Sequence, residues 1–170
     1  MDFAELAEKR YSCRKMSSSK VDDRLIDRII ETASKAPTAV NRQPVKIFRF
    51  KSEEAKNAVR QVCGHTFGAD CFLAVGYREE DGWVREFDSR PFADVDAAIV
   101  ACHIMLAAAD LGLATTWVGH FDAPALRRKF KAMKDYELIA LFPIGYAAED
   151  AKPSSMHFGR RSPEELTEVL

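Results

Sequence analysis

The stretch from Asp94 to Leu111 constrains this chain more than any other, because it is apolar nearly all the way round a helix and Gly112 follows as a stop. Such a helix must be covered on most of its sides. Its most apolar part, Ala97 to Ala109, carries His103 and falls short of the roughly 20 apolar residues that a membrane span needs. It reads as a deeply buried helix, and no membrane contact is expected. With 170 residues, 47% of them hydrophobic, the chain can build one substantial core. Residues 1–170 are read as a single domain in which a partner subunit supplies part of the cover for this helix.

Around it the pattern alternates irregularly between helix and strand. Asp22 to Ala36 places Leu25, Ile26, Ile29, Ile30 and Ala33 on a helical stripe with an acidic start and Pro37 just past the end. Val45 to Phe50 alternates as a strand with one buried face, and Ser52 caps a helix running to about Val62. Cys71 to Gly76 reads as a buried strand followed by a charged, mobile-looking stretch, Arg78 to Arg90. Ala114 to Val118 and Leu138 to Gly145 read as strands, with a helix capped by Asp122 between them. Ala147 to Leu170 is polar, with little core of its own, and suits a disordered tail or one that wraps a partner. The order favours an α+β fold with a mixed sheet between helices over a doubly wound fold. No G-x-G-x-x-G follows any strand, so the strongest sign of a Rossmann site is missing.

Acidic and basic residues nearly cancel, 26 against 25, so there is no overall positive field to hold a nucleic acid, and none is expected as a partner. Any bound anion must be held locally. The start Met1-Asp2-Phe3-Ala4-Glu5 lacks the features of a secretory signal, so the expected location is cytoplasmic. Cys13, Cys63, Cys71 and Cys102 are scattered without C-x-x-C spacing and are expected to be reduced thiols. Cys63-Gly64-His65 and Cys102-His103 lack the paired spacing of a zinc site, and no metal is expected.

Four segments carry chemistry. Arg10-Tyr11-Ser12-Cys13-Arg14 sets Arg10, Ser12 and Arg14 at alternate positions, on one side of an extended backbone, where two guanidinium forks and a hydroxyl suit a phosphate ester. Taken alone, the strip is more often a solvated basic turn. Arg160-Arg161 in the tail offers the same chemistry, and taken alone it is a surface charge pair. Pro37-Thr38-Ala39-Val40-Asn41-Arg42-Gln43-Pro44 is a proline-bounded loop whose Asn and Gln can donate to and accept from a heterocycle edge; the bland alternative is a simple loop of turn-forming residues. Leu113 to Asp122 ends a strand at Gly119, where a main chain can approach a planar ligand or simply turn.

In order along the chain, these segments resemble the nitroreductase family. The first strip matches its R-x-S-x-R start, and Pro37 to Pro44 is similar to its P-S-x-x-N-x-Q-P loop. Asp96 through Gly119 looks like its central helix and following strand, and Phe142-Pro143-Ile144-Gly145-Tyr146 with Arg160-Arg161 completes the order. The resemblance implies a largely antiparallel sheet between helices, with termini that extend over the partner of a homodimer and one FMN per site at the interface. It implies that Arg10, Ser12, Arg14 and Arg161, helped by Arg160, hold the ribityl phosphate. Thr38, Asn41 and Gln43 contact the flavin, with the loop around Thr38 coming from the second subunit, and Gly119 lies near the redox edge of the ring. Tyr11, Pro37, Ala39, Trp117 and Val118 complete the implied cofactor-binding set.

Gly159 stands where many relatives carry lysine, Thr38 replaces the usual serine, and the chain lacks the inserted segment that covers the flavin in larger members, which leaves the substrate side open. The implied activity is ping-pong transfer of electrons from NAD(P)H through the flavin to a nitroaromatic, quinone or similar acceptor, with no side-chain acid or base nominated. Trp83, Phe87, His120 and Phe121 are candidates to shape the pocket, the two phenylalanines more for packing. The alternative is a flavin-binding module that stores FMN or reports redox state without turnover.

Overall fold

The computed structural model describes residues 2–170. Its sheet is built from β1 (Val45–Phe50), β2 (Cys71–Tyr77), β5 (Ala114–Thr115) and β6 (Glu137–Gly145), in the order β1-β2-β6-β5. Every ladder is antiparallel, with Phe50 opposite Phe72 and Phe72 opposite Pro143. The two central strands are buried on both faces, and their period of two divides their side chains between two cores. Leu73, Val75, Phe142 and Ile144 face α2 (Asp23–Ala33) and α4 (Ala93–Asp110). Phe72, Ala74 and Leu141 join Phe50, Val59 and Leu126 on the side of α3 (Glu53–Val62) and α5 (Ala123–Lys129). The α+β expectation with a largely antiparallel sheet is what the chain forms.

Local rules place most of these elements. Asp22, Ser52 and Asp122 accept backbone N–H groups at the starts of α2, α3 and α5, as N-caps do. Gly112 ends α4 with φ 73°, a conformation that glycine adopts freely. Helix α2 stops at Ala33, not at Ala36, because Lys35 and Ala36 donate to carbonyls three residues back and tighten the last turn. Strand β5 covers Ala114–Thr115 alone; the chain leaves the ladder at Thr116 and rejoins at Val118, which exchanges two hydrogen bonds with Leu141. The stretch after β2 carries a short ribbon, β3 (Val84–Arg85) with β4 (Arg90–Pro91), and so has regular structure where a mobile loop is expected. Arg85 and Arg90 lie over the Phe92 ring, and Trp83 meets that ring edge-on. The tail contains a turn, Ser155–Phe158, and one helical turn, α6 (Pro163–Leu166), started by a capping box at Ser162.

Helix α4 buries Ala97, Val100, Ala101, Ile104, Ala107 and Ala108 against the sheet and α2. Val95, Ile99, Cys102 and Leu106 lie on another stripe, half-buried, and pack against neither core. Part of the all-round apolar pattern is therefore only partly covered by this chain. Among the described residues no helix is long and apolar enough to cross a membrane.

The turn that leads into β2 is braced by Asp70, which accepts from Lys56 Nζ at 2.9 Å and Arg60 Nη2 at 2.8 Å. Lys56 first, then Arg60, holds the Asp70 carboxyl below its usual range. A depressed folded value means that stability is gained above the unfolded pKa of about 3.9 and is lost as pH falls through the folded value. Asp70→Asn is expected to lower stability modestly at pH 7, and the difference from wild type should vanish in acid below the depressed value. Urea unfolding at both pH values measures it; a deficit that persists in acid would exclude ionisation as its cause.

Candidate functional site

The N-terminal strip runs extended from the end of α1 (Phe3–Lys9) along the far end of the sheet. Cys13 N–H donates to Thr115, and Met16 and Ser17 donate to Phe67 and Tyr146. Cys13 is buried by this pairing and points its neighbours outward. The alternation expected from sequence is present, but its two arginines diverge. Arg10 turns to the Met105 sulfur on α4, at 3.8 Å. Arg14 leans back on the Ser12 carbonyl, at 3.3 Å, and lines a cavity of about 210 Å3 with His65, Phe67, Trp117, Val118, Gly119 and His120.

That cavity brings Arg14 and the Trp117–Gly119 segment together. Trp117 is fixed edge-on against Phe142 at 5.6 Å, and Val118 is locked to Leu141. A Cβ built on Gly119 meets nothing within 4 Å, and its φ is not in the left-handed region. The chain itself therefore does not require glycine there; only something lying over the segment would. His65 stacks on Phe67 at 5.8 Å and meets His120 at 5.4 Å, so two imidazoles stand at the rim. His65 and Phe67 were not among the expected site residues. The one signal for His65, its place in Cys63-Gly64-His65, pointed to metal, and the described residues contain no group of three or more potential metal ligands.

The Tyr11 ring meets His157 edge-on at 6.3 Å and so ties the tail to the strip. Burial, and then the Cys13 thiol, pushes the Tyr11 phenol above its ordinary value, so it stays neutral at working pH. Arg160 and Arg161 follow His157 by a few residues and are exposed; among the described residues Arg160 donates only to the Gly159 carbonyl. Among the described residues Arg10, Arg14, Arg160 and Arg161 pair with no carboxylate, as is also true of Arg24, Arg28, Arg42 and Arg128, whereas Arg49, Arg60, Arg78, Arg85, Arg90 and Arg127 do.

The Pro37–Pro44 loop lies elsewhere, at the other end of α4. Ala39 N–H donates to the buried Asp96 carboxylate at 2.8 Å, so this amide is committed inside the fold and is not free for a ligand. Thr38 Oγ1 accepts the Gln43 N–H, and the Gln43 side chain reaches back to Asn41 Oδ1 at 3.2 Å. Val40, Asn41 and Gln43 have φ of 44°, 58° and 53°, an unusual density of left-handed residues without glycine. Asp96 was missed as a site residue, although an acid inside an apolar helix was visible. Asp96 and Met105 are nine positions apart on α4, roughly 14 Å along the axis at the α-helical rise. One chain thus holds the arginine strip and the amide loop apart.

A model of the nitroreductase family matches residues 7–68 and 63–146. A nitroreductase family protein of Clostridium difficile 630 superposes with a TM-score of 0.89 at 31% identity, covering 99% of this chain and 98% of its own. The chain belongs to the nitroreductase family. A further member solved in complex with FMN, from Exiguobacterium sibiricum 255-15, has the same fold, with a TM-score of 0.82 at 21% identity over 100% of this chain and 98% of its own. A protein of Methanothermobacter thermautotrophicus whose name pairs NADH dehydrogenase with NAD(P)H nitroreductase is 28% identical, over 88% of this chain and 80% of its own length. Human iodotyrosine deiodinase 1 is 25% identical over 88% of this chain, which spans 63% of that protein's length.

Proposed function

We propose that this nitroreductase-family chain, acting over residues 1–170 as one flavin-binding domain, is a cytoplasmic FMN-dependent oxidoreductase that works as a homodimer. It takes electrons from NAD(P)H and delivers them to a nitroaromatic, quinone or similar acceptor. The observation that carries this reading is the division of the site along α4. The arginine strip and the amide loop stand at opposite ends of the helix, and the half-buried apolar stripe that joins neither core lies between them. Packing two copies of α4 antiparallel about a two-fold axis covers both stripes and brings the loop of one subunit to the strip of the other.

The residues fit FMN. Four arginines without carboxylate partners offer forks for a phosphate, and the open face above Gly119 admits a planar ring. Bound flavin supplies the two-electron chemistry between nicotinamide and acceptor. Arg10, Ser12, Arg14 and Arg161, with Arg160, hold the phosphate end. Tyr11 backs the strip. Pro37, Thr38, Ala39, Asn41 and Gln43 would form the loop supplied by the second subunit, and Trp117, Val118 and Gly119 would contact the ring, with Gly119 near its redox edge. Donor and acceptor use the same open face in turn, so the kinetics are ping-pong.

The visible spectrum of the purified protein with added FMN, recorded without oxygen, tests this. Flavin bands should bleach on adding NADH or NADPH and return with a quinone, a nitroaromatic or, following the deiodinase relatives, a halogenated phenol. A protein that takes up no FMN overturns the assignment. One that binds FMN but reduces no acceptor over many turnovers is a storage or sensing module instead.

A further inference from the structure

Asp96 is the least expected residue of α4. It lies one turn inside the helix start, on the buried face, at 1% exposure. Its Oδ1 accepts the Ala39 N–H, and its Oδ2 is buried with no hydrogen-bond partner among the described residues. A buried carboxylate with one oxygen unserved works against the fold, so its presence asks for a reason. What it holds is the turn containing Val40, Asn41 and Gln43, all left-handed. Thr38 stands where such a turn is usually capped but makes no capping bond; its hydroxyl braces Gln43 instead. The cap comes from Asp96, 57 residues beyond Ala39. The turn is thus held at both ends, by Thr38 from within and by Asp96 from beneath.

We propose that Asp96 is a positioning residue of the flavin site. Its carboxylate fixes the Thr38–Gln43 turn in the left-handed shape that presents the turn's polar groups to the flavin, and its free Oδ2 takes the next amide, Val40 N–H, when the site is filled. Asp96 touches no reacting atom. The presenting role rests on the flavin reading above, but the hold on the turn is measurable without flavin.

Amide hydrogen exchange on the full flavin-free chain, together with FMN titration by fluorescence, separates the two. In Asp96→Ala, exchange across residues 38–43 should quicken by about 10-fold or more while β2 and β6 keep wild-type protection, and FMN affinity should fall about 10- to 100-fold. Asp96→Asn keeps an acceptor for Ala39 and puts a donor where Oδ2 was. It should restore slow exchange at Ala39 and most of the affinity, yet lack the extra protection that FMN gives Val40 in wild type. If Asp96→Ala fails to fold, Asp96→Asn carries the test alone through that Val40 signature. Wild-type exchange and affinity in Asp96→Ala overturn the proposal, as does quickened exchange spread evenly over the sheet, and so does wild-type protection of Val40 by FMN in Asp96→Asn. A wild-type protein that binds no FMN overturns the flavin reading and the presenting role with it. In that case exchange alone shows whether Asp96 holds the turn.

Discussion

Ile99→Glu is expected to split the protein into monomers and to strip it of FMN in the same step. Ile99 lies in the middle of the half-buried stripe of α4, between Val95 and Leu106, and packs against neither core. In a free subunit Ile99 is already partly exposed and outside both cores, so a glutamate there can reach water and the flavin-free subunit should stay folded. In a two-fold interface the same glutamate lies close to its own copy in an apolar contact. An unpaired carboxylate buried in this way costs on the order of 3 kcal/mol or more. Two copies weaken the dimer by about 10^4-fold. Because the strip and the loop sit at opposite ends of one helix, each monomer keeps only half of the proposed site. Sedimentation velocity followed at protein and flavin wavelengths reads both events at once. A monomer that keeps its flavin would mean that one chain suffices, and the divided site would be wrong. A dimer that survives with flavin bound would place the interface elsewhere.

The legible parts of this fold are those decided locally. Strand β1 and helix α3 stand where alternation and the Ser52 cap put them, and Gly112 ends α4. Strand β5 is shorter than its apolar run because tertiary contacts decide it: Val118 pairs with Leu141, while Trp117 turns to Phe142. The β3–β4 ribbon could not be read from its charged sequence, since the Phe92 ring that gathers Trp83, Arg85 and Arg90 holds it. The site divides in the same way. Arg10, Arg14 and Gly119 announce themselves by type and spacing, but Asp96 meets its turn and His65 meets His120 only once the chain has folded. No local pattern encodes such long-range meetings. The divergence of Arg10 and Arg14 also depends on the fold, because an extended strip puts both on one side without saying what each will find there.

That divergence sharpens the second prediction, that Arg10→Ala combined with Arg14→Ala lowers FMN affinity by about 1,000-fold. A hydrogen bond to a charged group contributes about 1.5–3 kcal/mol, so each arginine accounts for about 10- to 100-fold. Neither has a carboxylate partner to satisfy it in the absence of ligand, so little is lost in the free protein when it is removed. Riboflavin, which has the ring and the ribityl chain but no phosphate, is the decisive comparison. If both arginines grip phosphate, the double variant binds riboflavin nearly as wild type does while FMN binding collapses. The single variants then assign the two groups. Arg10, held at the Met105 end of α4, should affect FMN alone. Arg14, which shares a cavity with Gly119, should do the same if it reaches the phosphate, and should weaken riboflavin equally if it lies against the ring. Arg14→Lys adds the geometric control, because an ammonium keeps the charge but loses the bidentate fork. Titration of all four variants with both ligands at one salt concentration gives the answer. An equal loss of FMN and riboflavin in the double variant would remove the phosphate from this strip and leave Arg160 and Arg161 as its holders.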